Sequence, residues 1–475
     1  MQPGFGWETN VAQRPSLVHP YIPNSAPEVR AAMLREIGVA DIDDLFRDIP
    51  AALRVQGLLD LPPPILAEAD LERHAAGLLA RNVSCQERLS FLGGGCYQHY
   101  VPAVCDEIAQ RAEFYSSYSG DTYSDKGKFQ AFFEYQSLMG ELVGMEVVSV
   151  PTFDGGSAGA SAVRVACRIT GRQEVLVAGT ISPQRLAVMR DLCGTRITIR
   201  SVGFDAASGL MDLADLEAKL SDATGAVYIE NPSYLGFIET QGAEIARLAH
   251  AAGAQSVVYV DPSSLGVLAP PSEYGADIIC GDAQPLGIHM FYGGGQTGFI
   301  ACPDEERYVS ALPVILFSIA PTRHAGEYGY GWSTMDRTSY AQRGESMEFT
   351  GTTQGLWGIV AGVYLAVMGP QGMRELGDTI LQRVHYAMQR LGEIPGVRAP
   401  VLSATPFKEF VVNFDGAGKS VADINRALLE RGIFGGHDLS REFPALGQAA
   451  LYCVTEVHTK ADIDRLAEAV KEVVA

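Results

Sequence analysis

Residues 226–261 read AVYIENPSYLGFIETQGAEIARLAHAAGAQSVVYVD, and this stretch decides the fold. Ala226–Glu230 and Ser256–Asp261 are short runs rich in β-branched and aromatic residues, as strands require. Between them, Ala243–Ala252 repeats its apolar residues at helical spacing. A strand, a helix and a second strand of these lengths form a βαβ unit. The alternation extends outward, with strands expected at Glu146–Val150, Glu174–Ala178, Thr195–Val202 and Asp277–Cys280. Helices are expected at Ser157–Ile169, Pro183–Leu192 and Leu213–Leu220, and the glycine-led Gly293–Cys302 follows as one more strand. The fold class is therefore α/β, with a mostly parallel sheet covered by helices on both faces.

The two ends behave differently. The first 75 residues are helical and punctuated by proline, as in Pro27–Ile37, Asp41–Asp48 and Leu61–Pro64. They read as an N-terminal helical arm, packed on the body or on a partner. Beyond about 345, a long helix pair (354–368 and 370–392) precedes Phe407–Phe414, the helix Val421–Arg431 and a strand near Ala449–Val454. A last helix opens at Thr459, whose side chain is placed to cap it. The expected division is an arm at 1–75, a large α/β domain at 76–345 and a small C-terminal α+β domain at 346–475.

Composition removes several function classes. The 475 residues carry 36 Lys+Arg against 56 Asp+Glu, a formal net charge of −20. Such a chain repels phosphate backbones and anionic lipid, so neither nucleic acid nor membrane is expected as a partner. The longest apolar run, Leu356–Gly369, suits a buried helix, since a bilayer span needs about 20 residues. Met1–Asn10 has neither a basic nor an apolar signal region, which points to a cytoplasmic protein. The 8 cysteines are scattered without a CxxC pair, so free thiols are expected and no metal site.

In an open parallel sheet, ligands sit beyond the carboxyl ends of the strands. After the first expected strand comes Asp154-Gly155-Gly156-Ser157, then a helix from about Ala158. Small residues at a helix start can cradle a phosphate, but taken alone the signal is weak and an ordinary tight turn is the better-supported reading. After Ser256–Val260 comes Asp261. An aspartate there is where enzymes of this architecture that use pyridoxal phosphate (PLP) place the partner of the pyridinium nitrogen. Such enzymes then need a lysine roughly 20–30 residues on, to hold the cofactor as a Schiff base. The chain has seven lysines (126, 128, 219, 408, 419, 460 and 471), and none falls between Lys219 and Lys408. The anchor is missing from a cofactor fold.

A chain-long set of motifs accompanies this. It includes Tyr21-Ile-Pro-Asn24 with Met33–Pro50, Phe91-Leu-Gly-Gly-Gly-Cys-Tyr-Gln-His-Tyr-Val-Pro102, and Phe133-Glu-Tyr-Gln136 through Glu141-Leu-Val-Gly-Met145. It continues with Asp261–Gly266, Glu273–Asp277, Met368–Leu376, Leu429–Gly436 and Val454-Thr-Glu456. In these the sequence resembles the alpha subunit (subunit 1) of the two-subunit glycine dehydrogenase (decarboxylating), the P-protein of the glycine cleavage system, in a divergent form. The resemblance implies a PLP-dependent transferase-like (fold type I) large domain. It also implies a beta subunit (subunit 2) of similar fold that carries the PLP, with none covalently bound to this chain. The assembled enzyme, a heterotetramer, would decarboxylate glycine and pass the aminomethyl group to the lipoyl arm of the H-protein. By motif, Tyr97 and Tyr118 would reach the partner's cofactor pocket, where a phenol can orient a carboxylate or shuttle a proton. Their plain alternative is core or interface packing. His99 is a third candidate, with a structural hydrogen-bonding role as its alternative.

Two stretches depart from the family. Where members read Thr-Pro-Tyr-Gln-Pro-Glu and then Ser-Gln-Gly, this chain has Ser119–Lys128 (SGDTYSDKGK). Where they read Ser-Asn-Ile-Cys-Thr, it has Glu348–Thr353 (EFTGTT). Lys126, Lys128 and Glu348 would alter the charge of a pocket or a docking surface. A paralogue acting on another amino acid in a PLP complex, and a catalytically silent scaffold subunit, are the alternatives. Arg323–Tyr330, rich in polar and aromatic groups, is expected to be a loop over the interface.

Overall fold

The computed structural model describes residues 18–55, 59–115, 128–342, 344 and 353–475. Contacts divide the chain into two compact units, Met1–Asn82 and Val83–Ala475. In the first unit, α1 (Pro27–Ile37) starts on a proline and stops at Gly38, whose φ of 85° supplies a left-handed cap. The stretch expected as a helix at Asp41–Asp48 is a tighter 3₁₀ turn, Ile42–Phe46, closed by reciprocal capping between Asp41 and Asp44. α2 (Glu68–Leu79) follows. None of the described residues from 18 to 82 is buried.

The second unit opens with β1 (Leu89–Ser90), α3 (Ala103–Ala109), α4 (Phe129–Val143) and β2 (Val147–Val148). It then alternates through α5 (Gly155–Thr170), β3 (Glu174–Ala178), α6 (Pro183–Cys193), β4 (Thr198–Val202), α7 (Leu213–Lys219), β5 (Thr224–Glu230), α8 (Gly242–Ala251) and β6 (Gln255–Val260). β7 (Ile278–Asp282) and β8 (Gly298–Cys302) complete a seven-stranded sheet of order β2-β8-β7-β6-β5-β3-β4. β4, β3, β5, β6 and β7 are parallel; β8 runs against them, and β2, antiparallel to β8, runs with them again. The run expected as the first strand, Glu146–Val150, is a two-residue edge strand, Val147–Val148, paired with β8 alone.

Alternate residues of each strand feed opposite cores. Leu176, Val227, Val258 and Ile279 pack in one cluster with α4, α8 and the later helices. Val175, Tyr228, Val257 and Cys280 pack in the other, with α5 and α6. Both faces are covered, as parallel sheets require.

After α9 (Glu306–Val309), β9 (Phe317–Pro321) and β10 (Tyr328–Trp332) form an antiparallel hairpin. Most of the loop expected at 323–330 is therefore the turn and second strand of a hairpin. Stacking of Phe132 and Phe317, with ring centres 4.9 Å apart, ties it to α4. α10 (Gly355–Gly392) is the expected helix pair, broken at Gly369 (φ 59°, ψ −179°) ahead of Pro370. It is long and apolar enough to cross a membrane by length and composition. Its Ile359, Val360, Ala361 and Tyr364 are buried instead in the core around α4.

The chain ends with β11 (Glu409–Asn413), α11 (Val421–Glu430), β12 (Ile433–Phe434), β13 (His437–Asp438), β14 (Ala449–Cys453) and α12 (Lys460–Val474). β11, β14 and β13 make a three-stranded antiparallel sheet, and α12 carries the expected Thr459 cap on Asp462. Phe407, Phe410, Val412 and Tyr452 join the same cluster as β3, β5 and β6. The small domain and the sheet thus share one core. The loop after β5 meets β11 at Gly236, whose φ of 93° and contact with the Glu409 carbonyl leave no room for a side chain.

Candidate functional site

Three adjacent strands end on acids at their carboxyl edge: β5 on Glu230, β6 one residue before Asp261, and β7 on Asp282. All lie where an α/β sheet places its ligand. Each acid already has a partner from this chain.

At β5, Arg185 of α6 grips the buried Glu230 with two hydrogen bonds, Nε to Oε1 at 2.6 Å and Nη2 to Oε2 at 2.9 Å. Its guanidinium also lies over the Tyr259 ring, 4.3 Å from the centre. At β6, Lys408 Nζ stands 2.6 Å from Asp261 Oδ2, and only 2% of the lysine side chain is exposed. A buried lysine is rare unless paired, and this one has three neighbours. Besides Asp261, Nζ sits 2.9 Å from His99 Nε2 and 3.8 Å above the centre of the Tyr97 ring. An ammonium can only donate, so His99 Nε2 accepts and its Nδ1–H donates to Glu456 Oε2 at 2.7 Å. Burial alone would raise Glu456. His99 and the backbone N–H of Tyr100 outweigh that and hold the carboxyl down at about 2.

Tyr97 is placed by three hydrogen bonds. Its N–H donates to Gln284 Oε1 and its carbonyl accepts from Gln284 Nε2, both at 2.9 Å, just past the end of β7. Its hydroxyl donates to Glu409 Oε2 at 2.9 Å, while Glu409 Oε1 accepts from the Gly94 N–H at 2.7 Å. Phe91–Pro102 carries no regular helix or strand, so these contacts are what fix it to the sheet edge. Burial, then the charges of Glu409 and Asp261, push the Tyr97 phenol well above its ordinary value. It is a hydrogen-bond donor and not a base. Burial lifts Glu409 to about 7 against the opposing pull of the Gly94 N–H, Lys408 and Tyr97. The adjoining Cys96 thiol is raised to about 12 by burial and by the Asp282 charge, which rules it out as a nucleophile.

At β7, the turn read as a phosphate cradle is the first turn of α5, which begins at Gly155 and not near Ala158. Asp154 caps it, accepting from the Ser157 N–H at 2.6 Å. Asp282 accepts from the Gly155 N–H at 2.7 Å, and also from the backbone of Gln284 and Thr297. Burial raises Asp282 to about 6. Two of the first three N–H groups of this helix are therefore taken by carboxylates of the chain.

Of the sequence candidates, Tyr97, His99 and Asp261 converge on Lys408, and Gly155–Ser157 lie at the next strand end. Tyr118 lies outside the described residues, as do 119–127 and 348–352 of the divergent stretches. Lys128 is buried at the start of α4, which removes it from any docking surface. Lys408, Glu409, Glu456 and Arg185 join the site without being marked as site residues by a motif of their own. A signal existed for two of them: Lys408 and Glu409 place adjacent charges inside the otherwise apolar run Phe407–Val412.

The glycine cleavage system P-protein family matches residues 19–470. The chain belongs to this family. A relative from Staphylothermus marinus, described as probable glycine dehydrogenase (decarboxylating) subunit 1, is 36% identical, over 96% of this chain and 98% of its own. A crystal structure of glycine decarboxylase (P-protein) of the glycine cleavage system, in inhibitor-bound form, superposes with a TM-score of 0.80 at 34% identity, covering 96% of this chain and 100% of that one. A sphingosine-1-phosphate lyase from Burkholderia pseudomallei shares the fold, with a TM-score of 0.62 at 15% identity over 90% of this chain and 94% of its own. The fold is PLP fold type I.

P-protein family chemistry depends on PLP, and the residues of this chain do not fit it. The ring end of the pocket, among Tyr97, Asp261, Phe407 and Lys408, leaves a cavity of about 20 Å³, room for roughly one water. The phosphate end, by Gly155 and Arg185, leaves about 150 Å³. There, Asp154 and Asp282 present negative charge to any phosphate, and Glu230 already pairs the arginine. Lys408 cannot serve as the anchor either. It occupies the partner of the ring nitrogen, whereas the aldehyde carbon lies on the opposite side of the pyridine ring.

Proposed function

We propose that this chain is the non-anchoring alpha half of a two-chain glycine decarboxylase. Its beta-type partner carries the PLP, and the pair acts on glycine with lipoylated H-protein as acceptor, in the cytoplasm. The observation that carries this is the Lys408–Asp261 pair, 2.6 Å apart at the place where a cofactor ring would need the aspartate. The chain has the cofactor fold without a usable cofactor seat.

In this reading Lys408 holds the Tyr97 ring beside the shared cleft, and the Tyr97 hydroxyl turns from Glu409 to the substrate when the complex forms. Tyr118 is the second tyrosine. His99 orients Lys408 and engages both of its ring nitrogens in doing so. The engagement of the Tyr97 hydroxyl with Glu409 inside the chain also favours a second reading, a scaffold without catalytic groups.

The test is co-expression with a beta-type chain and assay of glycine-dependent exchange of labelled carbon dioxide. Tyr97→Phe in the assembled pair should lower turnover about 10–100-fold, the value of one hydrogen bond to a charged acceptor. Unchanged turnover for Tyr97→Phe and Tyr118→Phe together would establish the scaffold. A substrate screen of the pair in which another amino acid outperforms glycine would replace the glycine assignment.

A further inference from the structure

The two poles of a PLP molecule are a cationic ring nitrogen and an anionic phosphate. A fold type I pocket meets the first with an acid at a strand end and the second with the N–H groups of a helix start. In this chain each of those partners is satisfied by a side chain of matching sign. Lys408 brings a buried ammonium to Asp261. Asp282 brings a buried carboxylate to the Gly155 N–H, the first of α5. We propose that Lys408 and Asp282 are built-in stand-ins for the ring nitrogen and the phosphate of the cofactor. They turn the former cofactor pocket into a permanent joint between the sheet edge and the C-terminal sheet.

Connectivity supports a joint. Lys408 immediately precedes β11 of the small sheet and reaches Asp261 beyond β6 of the large one. Through His99 and Tyr97 it also holds the Phe91–Pro102 segment, and His99 continues to Glu456, just past β14. Three segments distant in sequence meet at one ammonium, and His99 links a fourth. A ligand would have to displace it from the ring end, where the remaining space is about 20 Å³. At the phosphate end there is space but the wrong sign of charge. Loss of the anchoring lysine is thus one of three barriers to the cofactor.

The inference rests on the reading of this chain as the non-anchoring half, and its test uses the full-length chain by itself. Pyridoxamine phosphate is the probe, because it carries both poles and needs no lysine. Titrated into the wild-type chain to millimolar concentration, it should give neither saturable tryptophan quenching nor a thermal shift. Lys408→Met should lower Tm by about 5–10 °C, since it strands Asp261 in the interior. Lys408→Met/Asp261→Asn should recover at least half of that loss. Should Lys408→Met fail to fold, a folded double variant supports the proposal and an unfolded one overturns it. Saturable probe binding to wild type, an unchanged Tm for Lys408→Met, or additive losses in the double variant would each overturn it. Failure of carbon dioxide exchange in the assembled pair would instead reject the glycine decarboxylase reading, and leaves these measurements independent.

Discussion

The sheet edge and the N-terminal unit break the usual distribution of residues in opposite ways. At the edge, charged groups are buried: Lys408, Glu409, Glu230 and Asp282 are all inside. In the N-terminal unit, apolar groups are outside: Leu53 is 73% and Leu66 75% exposed, and Leu71 and Leu78 are half exposed on one face of α2. The difference lies in partners. Every buried charge named at the edge has a hydrogen-bond or ion-pair partner supplied by the chain, so that region is complete. The apolar side chains of the N-terminal unit are not covered by the unit itself, so that region contributes little to the stability of the chain alone.

The largest expected effect is at Arg185. Arg185→Met leaves Glu230 buried without its counter-ion and should cost about 3–5 kcal/mol, read from chemical denaturation. A loss below about 1 kcal/mol would remove the edge from the account of stability.

The next effect is a pH dependence. Glu409 is raised from 4.5 to about 7, so between those values the folded chain holds a proton that the unfolded chain has released. Folding stability therefore falls as pH rises from about 4.5 through 7, then levels off. Glu409→Gln should flatten that slope and leave the part due to Asp282, which ends near pH 6. Lys408, Tyr97, Asp261 and the Gly94 N–H surround this carboxyl, and none of them is changed by the substitution. Glu456 works in the other direction: its contribution is present above 4.5 and is lost as pH falls toward 2. An unaltered slope in Glu409→Gln would assign the pH dependence elsewhere.

The smallest effect belongs to the N-terminal unit. Leu71→Asp and Leu78→Asp should each change stability of the isolated chain by no more than about 0.5 kcal/mol, the ordinary range for exposed sites. A loss of 2 kcal/mol at either position would show that α2 is packed in the free chain, and the comparison would collapse.

The same contrast explains what the sequence made legible. β3, β5 and β6 were readable because a strand buried on both faces is a continuous apolar run, as in Leu176–Ala178 or Val257–Val260. β2 is shorter than the run Glu146–Val150 suggests, because at the sheet edge it pairs only with β8. The hairpin β9–β10 was read as a loop, although Tyr328, Tyr330 and Trp332 alternate with glycine at the period of a strand. In the site, Asp261 was readable from its place at a strand end. Lys408 was not, because its meaning depends on residues remote in sequence; His99 is 309 positions away. The lysine count correctly reported an empty stretch from 219 to 408, and the lysine that closes that stretch is the one that fills the pocket.

If the side chains of this chain close its cofactor seat, PLP can be held only by the partner. The most direct measurement is the PLP content of the purified pair of this chain and its beta-type partner, released and counted against protein. One PLP per pair of chains, unchanged by excess cofactor, is the expected result. Two per pair would contradict it.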